Sequence, residues 1–127
     1  MEFDYTVTTT KKFNATSRRV QAEIVRAGLR VLHVHDVQKT LGEKGFVREP
    51  FHIIEFCNAQ LADDFLKADI KIGLCMPCKI NVYVTDGQTY ISGLRPIVLA
   101  QFFPQADLGA GPAAIDSLIV TIINNAK

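Results

Sequence analysis

The chain has 127 residues, of which 48% are hydrophobic and 21% charged, and its formal net charge is +1. A chain of this length buries about two thirds of its unfolded surface, so we expect a single domain spanning residues 1–127 without stabilising disulfides. The balanced charge excludes a large basic field for attracting polyanions, and we expect no nucleic-acid partner.

The amino-terminal residues lack the basic start and apolar stretch of a secretory signal, and no run approaches the roughly 20 apolar residues of a membrane span. We therefore expect a cytoplasmic protein without a membrane partner. The three cysteines are then expected to be free thiols, because a reducing compartment disfavours structural disulfides.

Apolar periodicity and turn residues predict alternating strands and helices in the first half of the chain. These are a strand at 3–9, a helix capped by Asn14 and ended by Gly28, a strand at 29–35, a short helix or turn at 36–44, and a strand at 51–57.

The second half begins with Asn58, which is expected to cap a helix of about ten residues. A β-hairpin is predicted over 78–94, because Asp86-Gly87 between two β-rich runs is typical of a type I′ turn. Pro96 is predicted to open a helix that Pro104 ends, and Pro112 to open a terminal helix.

The two-residue turn fixes the register of the hairpin and therefore sorts its side chains between two faces. Tyr83 is expected opposite Tyr90, on the same face as Asn81 and Ser92. The other face is expected to be apolar and contains Cys78, Ile80, Val82, Val84 and Ile91.

The pattern as a whole predicts an α+β fold: a two-layer sandwich with a mixed β-sheet of about five strands and helices mainly on one face. Alternation on the second strand most simply points Leu32 and Val34 toward the helices. Val31, His33, His35, Glu55, Cys57 and the two tyrosines then lie on the uncovered face, provided that Ile54 and Phe56 point inward. Such a face is expected to be a binding surface or a dimer interface.

Cys57 is the strongest single candidate for chemistry, because it directly precedes the predicted cap Asn58. The free N–H groups and partial positive charge at a helix start stabilise a thiolate, which could act as a nucleophile, metal ligand or sulfur carrier. The alternative is a small hydrophobic residue that fills the junction between strand and helix.

Cys75-Met-Pro-Cys78 has the spacing of a redox dithiol and of half a zinc site. Cys78 is predicted to begin a strand and to face its apolar side, whereas redox dithiols begin helices. The chain has no second ligand pair for a zinc ribbon. Buried structural thiols are the favoured interpretation, with redox and metal binding as alternatives.

His33 and His35 are two positions apart on a strand, so their side chains share a face and could bind a metal with Glu55 or Cys57. A solvated or interface pair explains the same pattern. His52 is expected on the opposite face from Cys57, which disfavours a Cys–His couple. We find no paired catalytic carboxylates, nucleophile elbow or P-loop, and assign no catalytic residues.

Four features in order resemble the family named "domain of unknown function 302" over about residues 4–103. They are the helix from Phe13 to Gly28, the segment from His33-Val-His-Asp36 to a glycine near 45, the Phe-Cys-Asn58 corner, and Met-Pro-Cys78-Lys-Ile-Asn-Val-Tyr83.

This resemblance implies a compact two-layer α+β fold and a homodimer, and implies no settled activity. Its family-like positions are Cys57, Asn58, Pro77 and Cys78. Ala59 replaces a frequent proline and Cys75 a usual aliphatic residue, so the Cys-x-x-Cys pair is peculiar to this chain.

The sequence thus predicts a homodimeric, non-catalytic accessory module that binds a small ligand, metal or haem-like group. Its predicted binding residues are Cys57, Asn58, Pro77, Cys78, His33, His35, Tyr83 and Tyr90. The alternatives are a thiol-based redox or sulfur-transfer protein that uses Cys57 with Cys78, and a structural dimer without a site. The metal and the cofactor are left open.

Overall fold

The structure, a computed structural model, describes residues 2–127 and contains five strands, five α-helices and two 3₁₀ segments. The strands are β1 (Asp4–Thr9), β2 (Arg30–Asp36), β3 (Phe51–Cys57), β4 (Cys78–Thr85) and β5 (Gln88–Leu94). The helices are α1 (Phe13–Arg26), α2 (Val37–Gly42), α3 (Ala59–Ala68), α4 (Pro96–Leu99) and α5 (Gly111–Ala126). The 3₁₀ segments are Ile70–Cys75 and Ala100–Phe102.

The strands form one sheet in the order β1-β5-β4-β3-β2, and every neighbouring pair is antiparallel. The α+β fold with about five strands is therefore confirmed, while the expectation of a mixed sheet is wrong. Helical connections usually cross a face and return to a parallel strand. Here α1 connects the two edge strands, β1 and β2. The connection through α3 and the first 3₁₀ segment, which contact each other, joins β3 to its antiparallel neighbour β4.

The hairpin between β4 and β5 is confirmed with the predicted register, including Tyr83 opposite Tyr90. Asp86 and Gly87 have φ of 51° and 78°, the positive values that a type I′ turn requires. The carboxylate of Glu49 accepts a hydrogen bond of 3.1 Å from the Asp86 N–H, which ties the turn to the loop before β3.

One face of the sheet, which we call the covered face, packs against α1 and α5. Ile54 and Phe56 of β3 are fully buried there, as predicted. The other fully buried apolar side chains are Val20 and Ile24 of α1, Ile80, Val82 and Ile91 of the hairpin, and Ile119, Ile122, Ile123 and Ala126 of α5. The opposite face of the sheet, which we call the open face, has no helical layer among residues 2–127.

The predicted alternation on β2 is wrong at its first positions. The register shifts between Val31 and His33, so Leu32 occupies a β-bulge and is 49% exposed, while Val31 packs against the core. A bulge adds one residue to a strand and reverses the alternation before it. Val34 points inward, and His33 and His35 point outward, as expected.

Helix starts were predicted with mixed success. Asn58 caps α3 as expected, because its side-chain oxygen accepts a hydrogen bond of 3.1 Å from the Leu61 N–H. Pro96 and Pro112 lie in the first turns of α4 and α5. Asn14 does not cap α1, which begins one residue earlier, at Phe13, after an N-cap at Lys12 without a side-chain hydrogen bond. No helix within residues 2–127 is long and apolar enough to cross a membrane.

Gly93 of β5 allows α5 to lie directly on the sheet. A Cβ atom at this position would lie 2.8 Å from Cγ2 of Ile119 and 2.9 Å from Cδ1 of Ile123. The same junction is held by Arg95, whose guanidinium donates to both carboxylate oxygens of buried Asp116 at 3.2 and 2.7 Å. The position of α5 thus depends on a missing side chain and a bidentate ion pair.

We predict that Gly93→Ala lowers the free energy of unfolding by about 1–3 kcal/mol, because the added methyl group forces two core isoleucines to move. Denaturant unfolding measures the change. Gly42→Ala is the matched control, since a Cβ there meets no atom within 4 Å and alanine favours a helix. Equal stability of the Gly93→Ala variant and the wild-type protein would show that α5 does not approach the sheet so closely.

Candidate functional site

Aromatic side chains form a stacked row across the open face. The ring centroids of Phe51 and Tyr83 are 5.3 Å apart with an interplanar angle of 15°. Those of Tyr83 and Tyr90 are also 5.3 Å apart, at 14°. Burial is the largest cause that raises the pKa of Tyr83, followed by the negative charge of Asp4. The two predicted tyrosines therefore lie side by side on the open face.

Asn81 lies on the central strand of the sheet and on the open face, between Ile53 of β3 and Ser92 of β5. Its side-chain oxygen is buried and has no hydrogen-bond partner among residues 2–127. Because an unsatisfied buried acceptor costs free energy, this position is a feature to be explained.

The predicted histidine pair lies at the β2 edge of the open face. The rings of His33 and His35 are 4.3 Å apart in an edge-to-face arrangement, and Nε2 of His35 is 2.8 Å from Oε1 of Glu55. Within residues 2–127, no group of three or more His, Cys, Asp or Glu side chains is placed to hold a metal ion. The structure therefore supports a surface histidine that is hydrogen-bonded to Glu55.

His52 lies on the covered face, as expected from strand alternation. Its Nδ1 is 2.7 Å from the hydroxyl of Ser17, and its ring packs edge-on against Phe13. These contacts hold α1 against β3. By strand alternation, His52 lies on the opposite side of β3 from Cys57.

The other four predicted binding residues come together at the end of the sheet. Cys57, Asn58, Pro77 and Cys78 all line one small cavity of about 30 Å³, closed by side chains of α3 and α5. Cys57 ends β3 and Cys78 begins β4, so the antiparallel pairing of these strands accounts for their proximity.

A larger cavity of about 70 Å³ adjoins the small one, and the two share Phe65, Met76, Pro77 and Cys78. Cys75 lines the larger cavity, so all three cysteines and Met76 contribute to the walls. These four are the only sulfur-containing residues in residues 2–127. Sequence reasoning identified the cysteines but did not place Cys75 and Cys57 at neighbouring cavities.

The thiols are free and one of them is strongly perturbed. Burial, and to a smaller extent the nearby Cys57, raises the pKa of Cys78 from its ordinary value of 9.0 to about 11. Cys78 also packs against the hydrophobic core, as its predicted position on the apolar side of the hairpin required. At neutral pH it is an uncharged wall residue.

Most of the walls come from residues that sequence analysis did not assign to a site. They are Phe65 of α3, Ile72 of the first 3₁₀ segment, Pro96 and Leu99 of α4, and Ala100, Phe103, Leu108 and Pro112 farther along the chain. Their only sequence signal is that they are apolar residues near turns.

The eight predicted binding residues therefore form separate groups. Four surround the cavities at the end of the sheet, whereas the histidines and tyrosines lie on the open face, the former on β2 and the latter on β4 and β5. Strand β3 lies between the two open-face pairs. The cavities and the open face are accordingly two different candidate sites.

We predict that Cys78 reacts with iodoacetamide at pH 7 about 100-fold more slowly than an ordinary thiol, since a pKa higher by two units lowers the thiolate fraction by that factor. Peptide mapping by mass spectrometry across pH 7–12 measures the rate at each cysteine. The control is the reaction rate of the same cysteine in the denatured protein, whose rise with pH should have its midpoint near pH 9. A midpoint near 9 in the folded protein would contradict the described burial of this thiol.

Comparison with known proteins gives the fold and the family. The chain has a TM-score of 0.91 and 29% sequence identity to the crystal structure of an uncharacterized conserved protein, DUF302, from Bacillus stearothermophilus, with all of both chains covered. No curated protein matches the chain. Residues 5–126 match the family described as "Domain of unknown function DUF302", and the chain belongs to this family.

Proposed function

We propose that the protein is a non-catalytic binding module that holds a small apolar ligand at the two adjoining cavities beside Cys57 and Cys78. The observation that supports this proposal is the convergence of the family-like positions and all sulfur-containing residues of 2–127 on these walls. Ligand sites are typically concave and mostly apolar, with a few polar groups for orientation.

The chemistry of the walls favours an uncharged ligand. Aliphatic, aromatic and proline side chains dominate the larger cavity, and the high pKa of Cys78 keeps its thiol neutral. Lys79 is the one cationic residue that lines it. Thioether and thiol groups are polarisable and adapt to irregular apolar shapes, so they suit a wall that contacts hydrocarbon or sulfur atoms.

The size of the cavities limits the ligand. A cavity of about 150 Å³ lined by apolar side chains accommodates benzene. The larger cavity here measures about 70 Å³, so a short apolar group fits without rearrangement of the walls. A longer ligand would extend past the two 3₁₀ segments.

Those segments expose large apolar side chains as well as lining the cavity. Ile70 is 74% exposed, Leu74 89% and Phe102 72%. Ile72 and Ala100 in the same segments line the larger cavity. Exposed apolar residues beside an apolar cavity are typical of the entrance to a binding site.

A second candidate function is thiol chemistry at Cys57. Its support is the position of Cys57 directly before Asn58, which caps the ten-residue α3. Cys78 is poorly suited to act as the partner thiol at neutral pH because burial keeps it protonated. A metal-binding or haem-binding form of the proposal has weaker support, since residues 2–127 offer no set of three His, Cys, Asp or Glu ligands.

We predict that Ala100→Leu prevents ligand binding, because the larger side chain occupies the cavity that Ala100 lines. Xenon, which enters apolar cavities of this kind, is the probe. In the wild-type protein, we expect xenon to shift the NMR signals of the Met76 methyl group and of Leu108, which both line the cavity. In the Ala100→Leu variant, we expect xenon to leave these signals unshifted. Native mass spectrometry of the protein as purified should show a small adduct that the variant lacks.

Ala114→Leu is the matched control. It is the same substitution, but Ala114 lies on the exposed side of α5, outside the cavity. It should retain both the xenon shifts and the adduct. If xenon leaves the wild-type signals unchanged and no adduct is present, the cavity does not bind an apolar ligand and the proposal is wrong.

A further inference from the structure

Two polar side chains face each other where β2 ends and β3 begins, without a hydrogen bond between them. His52 and Asp36 are directly opposite residues in the antiparallel pairing of these strands. Nε2 of His52 lies 3.9 Å from Oδ2 of Asp36, which is too long for a hydrogen bond. A nitrogen atom and an oxygen atom, each of a kind that binds metals, are therefore separated by a gap.

We propose that these two atoms bind one divalent transition-metal ion such as Zn²⁺, whose other coordination positions are filled by water or a small anion. Imidazole suits Zn²⁺, Ni²⁺ and Cu²⁺, whereas Mg²⁺ and Ca²⁺ prefer ligand sets made of oxygen. The site has two protein ligands, so it is compatible with the absence, within residues 2–127, of any group of three His, Cys, Asp or Glu side chains placed to hold a metal ion.

The spacing of the two ligand atoms fits one ion after a small movement. Zinc binds histidine nitrogen at about 2.0–2.1 Å and carboxylate oxygen at about 2.0–2.2 Å. Two such ligands in a tetrahedral arrangement are about 3.4 Å apart. The observed distance of 3.9 Å between Nε2 of His52 and Oδ2 of Asp36 exceeds this by about 0.5 Å. Rotation of the Asp36 carboxylate, which is 48% exposed, is sufficient to close that difference.

Both ligands are oriented by contacts at their other polar atoms. Oδ1 of Asp36 accepts a hydrogen bond of 3.0 Å from the Lys39 N–H, and Nδ1 of His52 lies 2.7 Å from the hydroxyl of buried Ser17. The Ser17 oxygen also accepts from Nε2 of Gln21 at 3.3 Å. A hydroxyl oxygen can accept two hydrogen bonds, so Nδ1 of His52 can carry the proton and leave the Nε2 lone pair for the metal. Metal-binding histidines are commonly oriented through their second nitrogen in this way.

An open groove gives a metal ion access to this pair. It has a volume of about 500 Å³, and its lining includes Lys12 and Arg18 as well as Asp36 and His52. The positive charges of Lys12 and Arg18 disfavour a bare cation, so we expect the metal to bind together with an anion such as acetate. Within residues 2–127, the groove has no lining residue in common with the two apolar cavities, so this inference is independent of the proposed apolar ligand.

The test follows the imidazole NMR signals of the three histidines while Zn²⁺ is added to chelator-treated protein in the presence of acetate. We expect the His52 signals to shift until the site is saturated, and Mg²⁺ to leave them unshifted. Asp36→Asn should weaken zinc binding at least about tenfold, because the site loses its charged ligand. Asparagine is as good an N-cap as aspartate, so this variant keeps the cap of α2, and circular dichroism checks its fold.

His35 and Glu55 provide the matched control, because they are also a histidine and a carboxylate on neighbouring strands. Their Nε2 and Oε1 atoms are hydrogen-bonded at 2.8 Å and leave no space for an ion, so Glu55→Gln should not change the zinc affinity. Unchanged His52 signals at about 1 mM Zn²⁺ would overturn the proposal, as would zinc binding that Asp36→Asn does not weaken. Xenon binding is measured separately, so a failure here leaves the proposed ligand cavities untouched.

Discussion

The pleat of the β-sheet is the constraint on which the rest of this structure depends. The turn at Asp86-Gly87 fixes which residues of β4 and β5 share a face, and antiparallel pairing extends that assignment to β1 and β3. Because α1 and α5 bury one face only, the same alternation that produces the core leaves an aromatic and polar surface opposite it. A register shift of one residue would exchange the two surfaces.

Much of the fold follows from the sequence because local signals agree with the tertiary contacts. The hairpin, β3 and α3 were predicted within a residue or two, since turn geometry, alternation and the Asn58 cap act over short distances. Sheet topology was predicted less well. The path of α1 from one edge strand to the other depends on its packing against α5 and β4, which no local pattern in the chain reveals. The bulge at Leu32 is likewise a property of pairing with β3 rather than of β2 alone.

The candidate sites show the same division. Alternation was enough to place His33, His35, Tyr83 and Tyr90 on the open face, because the histidines follow the bulge of β2 and the tyrosines lie within regular strands. The cavities were not foreseen, because their walls combine strand ends with α3, α4 and two 3₁₀ segments that are far apart in sequence. Such irregular segments have no periodicity from which a shared wall could be inferred. The resemblance singled out Cys57, Asn58, Pro77 and Cys78 without indicating that they line a shared cavity.

The central claim is that the pleat separates a covered apolar face from an open aromatic face, and nuclear Overhauser effects test it most directly. We predict strong effects between the rings of Tyr83 and Tyr90, and between Ile91 and the buried isoleucines of α5, with none between either tyrosine and α5. Contacts from Tyr83 or Tyr90 to Ile119 or Ile123 would show that these rings lie beneath the helices. In that case, the assignment of both faces would be wrong.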